Sequence, residues 1–403
     1  MKSRLVLVNV LQTSRAFGVG MMTITFPLLA ASDGLHAVAI GVLIGLGVLF
    51  GAVYTFLFSR GASRLGVMPF LLLSSLMMTG SAFAYLKMDS ITGLLVVAFL
   101  GFIPPSAGTY AGALEEGLLA HIPGSQRTRT FAVYGMLGTA AGALGALAAG
   151  LPHSQGLGLH GSLRALLMLY LGLALVSTMV SLALLVGGQR FNDHPELAVS
   201  SSPDRVGLHT SRRIVYKLAA LFVADSTGSG MVTAPLIVYW LHVHFSMSAW
   251  HLALLVFGMD LLAAVSFPLA ERLSRVVGLL NTAVFTHIPS SMLLMAVPFS
   301  PSGTVAAALL LTRGLLVEMD VPTRQSYLAS VVQPEERVQA AGVTSMGKQL
   351  GRAMGPVGGG WMLTAFGALG PFVGGGALKI AYDVTLWLAF RSVKPVEVPH
   401  SGG

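Results

Sequence analysis

The sequence predicts an all-α membrane protein of twelve transmembrane helices in two pseudo-symmetric six-helix bundles. Three observations predict it: a composition too apolar for a soluble surface, twelve apolar stretches of spanning length, and basic residues crowded on one side. Apolar residues fill 54% of the 403 positions and charged residues only 10%, where soluble chains carry roughly 25% charged. So few charges cannot cover a soluble surface of this size. A span takes about 20 apolar residues, so twelve use roughly 240 positions and leave short loops plus one longer connector.

The stretches run over 5–31, 37–58, 68–86, 91–120, 131–151, 163–187, 214–241, 248–270, 278–298, 303–330, 340–366 and 370–390. The first is too long for a signal-peptide core and reads as a retained span. With the N-terminus inside, sixteen Lys and Arg residues fall on inner segments, and only Lys87 and Arg164 fall outside. That asymmetry places both termini in the cytoplasm. It also accounts for the net charge of +8 as cytoplasmic loops, without a nucleic-acid partner. The polar stretch Gln189 to Arg213, rich in Ser, Pro and charge, reads as a cytoplasmic linker. The organisation expected is an N-terminal bundle over 1–188, a linker over 189–213 and a C-terminal bundle over 214–403.

Cysteine is absent, which excludes disulfides, thiolate metal sites and cysteine nucleophiles. There is no phosphate loop, no His-Glu-x-x-His helix and no Gly-x-Ser-x-Gly elbow, so the sequence gives no reason to expect an enzyme. No metal or cofactor is expected. Forty-eight glycines suit closely packed spans.

An internal repeat joins the halves. Gly18-Val-Gly20-Met-Met-Thr23 in span one matches Gly228-Ser-Gly230-Met-Val-Thr233 in span seven, an offset of 228 − 18 = 210. Ser63-Arg64 after span two matches Ser274-Arg275 after span eight at 211, and Arg129-Thr-Phe-Ala132 matches Arg337-Val-Gln-Ala340 at 208. Three matches at nearly one offset indicate two parallel six-span repeats.

With these features the chain resembles the major facilitator superfamily over nearly its whole length. The family's loop after span two usually reads Gly-x-x-x-Asp-Arg-x-Gly-Arg. Here, in Ser59-Arg60-Gly61-Ala62-Ser63-Arg64-Leu65-Gly66-Val67, Arg64 and Gly66 match and the glycine and aspartate positions hold serine. Gly351-Arg-Ala-Met-Gly355-Pro356-Val-Gly358-Gly359 in span eleven is similar to the glycine-proline motif of the family's antiporters, which carry it in span five. Span five itself keeps Gly138, Gly142 and Gly145, and close helix packing accounts for both sets. Glu318-Met-Asp320-Val-Pro322-Thr-Arg324-Gln325-Ser-Tyr327, ending in Pro334-Glu-Glu-Arg337, resembles a pattern of bacterial members of unassigned substrate.

The resemblance implies a monomeric secondary transporter of the cell inner membrane, working on a small molecule by rocking one half against the other, with a proton gradient as driving force. It implies a gating loop at Arg64, Gly66 and Arg275, and it sets spans one, four, seven and ten around a cavity.

Ionisable groups at bilayer depth cost a few kcal/mol each on insertion scales, so they face a cavity or a partner. Arg15 maps to Asp225 at 210, and Glu116 maps to Arg324 at 208. The signs are exchanged between the halves, which predicts the pairs Arg15 with Glu116 and Asp225 with Arg324. The pairs either neutralise one another for insertion or bind substrate and proton, with Asp225 as the proton carrier. Asp320, four residues before Arg324, competes with Asp225 for that arginine. Arg313, Glu318 and Asp260 form a second tier, Lys348 and Arg352 lie one turn apart, and Lys379 reads as paired with Asp383. Six histidines fall on the outer side, where solvated loops are their default. Tyr239, Trp240 and Trp250 suit an aromatic belt.

Two functions remain. The first is proton-coupled export of a small organic or amphiphilic compound. The second is import or facilitation of an anionic solute held by Arg15 and Arg324, whose planar forks suit carboxylate or phosphate.

Overall fold

The computed structural model describes residues 2–87, 91–120, 124–156, 158–188, 211–333 and 336–392. The linker expected over 189–213 falls largely outside them, as do Pro334 and Glu335. Among the described residues the chain is helical throughout. Its helices are α1 Lys2–Ser32, α2 Ala37–Leu65, α3 Met68–Lys87, α4 Ile91–Phe99, α5 Thr109–Ala120, α6 Gly124–Ala148, α7 Leu151–Ser154 and α8 Leu159–Gly188. They continue as α9 Arg212–Met231, α10 Ala234–Phe245, α11 Ala249–Val277, α12 Leu279–Ala296, α13 Gly303–Val317, α14 Asp320–Val331, α15 Arg337–Phe366 and α16 Leu369–Phe390.

These make twelve passes. Among the described residues, seven helical stretches are long and apolar enough to cross a bilayer on their own. Three passes expected to be continuous are instead broken: α4/α5, α9/α10 and α13/α14. Local chemistry explains each break. Between α4 and α5, Gly101 and Gly108 adopt φ of +72° and +66° around Pro104 and Pro105, which offer no N–H to a helix ladder. Tyr110 closes this loop by donating its hydroxyl to the Leu100 carbonyl at 2.7 Å. Pro235 and Pro322 sit in the first turns of α10 and α14, where a missing N–H breaks no helical bond.

The chain divides into two compact units, 1–202 with 234–257, and 203–233 with 258–403. In the first, α1 packs against α6 and α8, α3 against α8, and α2 against α4 and α5. In the second, α9 packs against α15 and α16, and α12 against α13, α14 and α16. Glycine lets the closest of these pairs approach. A Cβ on Gly145 of α6 would strike the Phe17 backbone of α1, and a Cβ on Gly355 of α15 would strike the Thr227 and Gly230 backbone of α9. The two sites are repeat-related at 355 − 145 = 210.

Candidate functional site

The first unit holds a buried ionic triad. Arg15 of α1 meets Glu115 of α5 with both terminal nitrogens, Nη1 to Oε1 at 2.5 Å and Nη2 to Oε2 at 2.8 Å. Tyr134 of α6 donates its hydroxyl to Glu115 Oε2 at 2.7 Å. The break before α5 makes room for this: Gly108 lies against the aliphatic stem of Arg15 and Gly112 against its guanidinium, where a Cβ would crowd both. Glu115 is 1% exposed, so a bidentate partner and a hydroxyl stand in for the water it has lost.

This corrects the predicted pair. The carboxylate bonded to Arg15 is Glu115, and Glu116, one residue on, is exposed. Successive helical side chains diverge by about 100°, so a register error of one selects the wrong face. The structure also improves the repeat, because 324 − 115 = 209 lies closer than 208 to the offset of 210.

The second unit holds a larger network, centred on Asp225 of α9. Arg324 Nη1 reaches Asp225 Oδ2 at 2.8 Å, as the sequence predicts, and also stands 3.1 Å from Asp320 Oδ2 one turn earlier in α14. Both competing partnerships therefore form together. Asp320 opens α14, where the helix dipole favours a carboxylate.

Two further groups enter that the predicted pairs leave out. Lys379 of α16 donates to Asp225 Oδ1 at 3.0 Å and to Ser229 Oγ at 2.5 Å. His287 of α12 sets Nδ1 within 3.0 and 2.9 Å of the two oxygens of Asp383, with Nε2 3.8 Å from Asp225 Oδ1. The predicted pairing of Lys379 with Asp383 is thus replaced: lysine serves Asp225, and histidine serves Asp383. Helical spacing alone made the pair, and it ignores what the neighbouring helices bring. Phe222 of α9 carries Arg324 and Lys348 each 4.9 Å from its ring centroid, which extends the network to α15.

His287 has a signal in the sequence that the outer-side count of histidines passes over. It is an ionisable residue in the middle of an apolar span, the same criterion that marks Asp225. The remaining second tier is weaker: Arg313 is buried with Nε unbonded, Asp260 is exposed, and Glu318 lies at the break between α13 and α14.

The expected gating-loop residues occupy related turns. Arg64 lies in the last turn of α2, and Gly66 caps it with φ +81°. Arg275 lies in the last turn of α11, bonded to Glu271 at 2.6 Å on an exposed face, and Gly278 follows with φ +87°. Both glycines take backbone that a side chain would strain. Three of the histidines expected on the outer side make local contacts: His242 with the Met247 carbonyl, His251 with Ser248, and His244 stacked on Trp240. Trp240 is buried rather than part of an exposed aromatic belt.

In class, the molecule is a multi-pass, all-helical membrane protein with the fold of the major facilitator superfamily transporters. It superimposes on the nucleoside transporter NupG with a TM-score of 0.72 at 14% identity, over 96% of this chain and 98% of that one. A bacterial homologue of the human lysosomal transporter Spinster, inward-facing and occupied, gives 0.73 at 15% identity, over 97% of each chain. In sequence, the chain is 24% identical over 352 residues to an uncharacterized membrane protein of Saccharomyces cerevisiae, covering 79% of this chain and 78% of that protein. No family model matches.

Proposed function

We propose that the chain is a secondary active transporter that exports a small organic or amphiphilic compound in exchange for protons by alternating access. The observation that carries this reading is the buried network of Asp225, Arg324, Asp320, Lys379, His287 and Asp383. One carboxylate, Asp225, is held there by two cations while a histidine stands just beyond bonding range. Groups arranged in this way can exchange partners when a proton arrives, which a sealed pair such as Arg15 with Glu115 cannot do as readily. Methionine-rich spans suit adaptable contacts with an apolar cargo. The basic bias of the inner segments supports both termini in the cytoplasm, and the resemblance to bacterial members supports an inner-membrane location for a monomer. Arg64, Gly66 and Arg275 would act at the inner gate, since both loops turn on a positive-φ glycine. Glu116 stays a candidate for contacting solute as an exposed neighbour of the triad.

A second reading, import or facilitated movement of an anionic solute, is favoured by one observation: Arg324 Nε is buried without an acceptor. That leaves one edge of the fork for a carboxylate or phosphate.

Proteoliposomes with an imposed pH gradient separate the two, using dyes, amino acids, organic acids, sugars and nucleosides as panels. Gradient-driven flux lost in Asp225→Asn is the expected result. Proton-independent flux of an anion, abolished by Arg324→Ala and kept in Asp225→Asn, selects the second reading.

A further inference from the structure

Asp225 presents two oxygens, and they are occupied differently. Oδ2 takes Arg324 at 2.8 Å. Oδ1 takes Lys379 at 3.0 Å, and the same atom lies 3.8 Å from His287 Nε2. Lysine and histidine thus face one acceptor, with lysine in possession.

The far side of the imidazole points to one tautomer. Nδ1 is almost equidistant from both Asp383 oxygens, at 3.0 and 2.9 Å. That suits a ring N–H shared over an ionised carboxylate, because a carboxylic acid would place its hydrogen on one oxygen. With the hydrogen on Nδ1, Nε2 of the neutral ring is a bare lone pair aimed toward a second carboxylate. His287 is 2% exposed and Asp383 1%, so no bulk water satisfies either group.

We propose that His287 is the proton-binding site of this network, and that a proton on Nε2 displaces Lys379 from Asp225. The step balances simply. An N–H bond forms at Nε2 from a solution proton, the Nδ1–H bond to Asp383 is kept, and Asp225 Oδ1 changes its donor from ammonium to imidazolium. Lys379 keeps its own proton and its bond to Ser229 Oγ. No group other than His287 changes its covalent state.

The surrounding charges determine what this does. Facing the ring and its partners are Asp225 of α9, Asp320 and Arg324 of α14, Lys348 of α15, and Lys379, Tyr382 and Asp383 of α16. Arg313, on α13, has Glu318 as its electrostatic neighbour. Three aspartates balance Arg324, Lys379 and Lys348 while His287 is neutral, so one proton brings the network to +1 and leaves Lys379 without its carboxylate. This deepens the proton-coupled reading above and moves the proton from Asp225 to its neighbour, yet the binding step is observable without any transport.

The test uses the full chain in lipid nanodiscs with 15N-labelled histidine, the His287 signal being identified by its loss in His287→Gln. Between about pH 8 and about pH 4, a range that brackets ordinary histidine titration, the His287 ring is expected to pass from one protonated nitrogen to two. In Lys379→Met it is expected to carry both protons already at the alkaline end. Infrared difference spectra over the same range are expected to show no carboxylic-acid band that Asp225→Asn removes. A ring that stays neutral throughout in both proteins overturns the assignment, as does an acid band belonging to Asp225. If pH-driven flux is absent while His287 behaves as stated, the export reading fails and this site stands. Flux with a silent His287 gives the reverse.

Discussion

At Arg15 two N–H donors are committed to one carboxylate, and the carboxylate has a tyrosine as its third donor. Removing one partner of a buried pair strands the other charge and costs about 3–5 kcal/mol. Glu115→Gln is therefore expected to lower thermal stability in detergent by that order. Glu116→Gln, on an exposed position, is expected to stay within about 0.5 kcal/mol. Equal losses would show that the pairing is misassigned. Around Asp225 a third group, Lys379, stands beside the pair. Exchanging the charges, Asp225→Arg with Arg324→Asp, keeps their attraction but sets an arginine against Lys379, so folding lost in either single mutant is expected not to return in the double mutant. Full recovery of monodisperse protein would mean that Lys379 does not contact position 225. The Asp225–Arg324 pair was legible in the sequence because a repeat offset needs only to bring two helices together. Glu115 was not, because choosing between adjacent residues needs the helix rotation, which the loop before α5 resets. Lys379 and Asp383 fall on Leu169 and Leu173 at the 210 offset, so a symmetry argument cannot find partners for them.

Among the elements, the breaks in the fourth and tenth passes place charged groups. α5 starts at Thr109 and delivers Glu115 two turns later, while α14 starts at Asp320 and delivers Arg324 one turn later. Stretch length reads these passes as continuous, because the seventh and tenth are interrupted by only two residues each and the loop in the fourth is itself mostly apolar. The glycines and prolines inside them were the available sign. The glycine faces of α6 and α15 were legible as packing surfaces, and the structure gives them specific backbones to lie against. Gly145→Leu and Gly355→Leu are expected to abolish stable protein, since the added side chain has only backbone to displace and overpacking of this kind exceeds the usual 1–3 kcal/mol. Gly342→Ala, in the same α15 where a Cβ meets open space, is expected to change stability by no more than about 1 kcal/mol. Size-exclusion profiles of the purified variants distinguish these outcomes.

For the molecule as a whole, the repeat predicts two halves of one design, and the charges show how far they have diverged. The first unit keeps an arginine and a glutamate closed on each other, whereas the second surrounds one aspartate with exchangeable partners. Fold class followed from composition and span length, which are summed over hundreds of residues and tolerate local error. Cargo identity depends on the shape and polarity of a few side chains, and no pattern in the sequence encodes that. The proposed movement of solute and proton in opposite directions through one transporter is tested by proton flow without any imposed pH gradient. Proteoliposomes are loaded with a solute that the flux panels identify as a substrate, and a lumenal pH dye is followed as it leaves down its own gradient. Lumenal acidification is expected in the wild type and none in Asp225→Asn. Solute efflux with unchanged lumenal pH, or with alkalinisation, would contradict it.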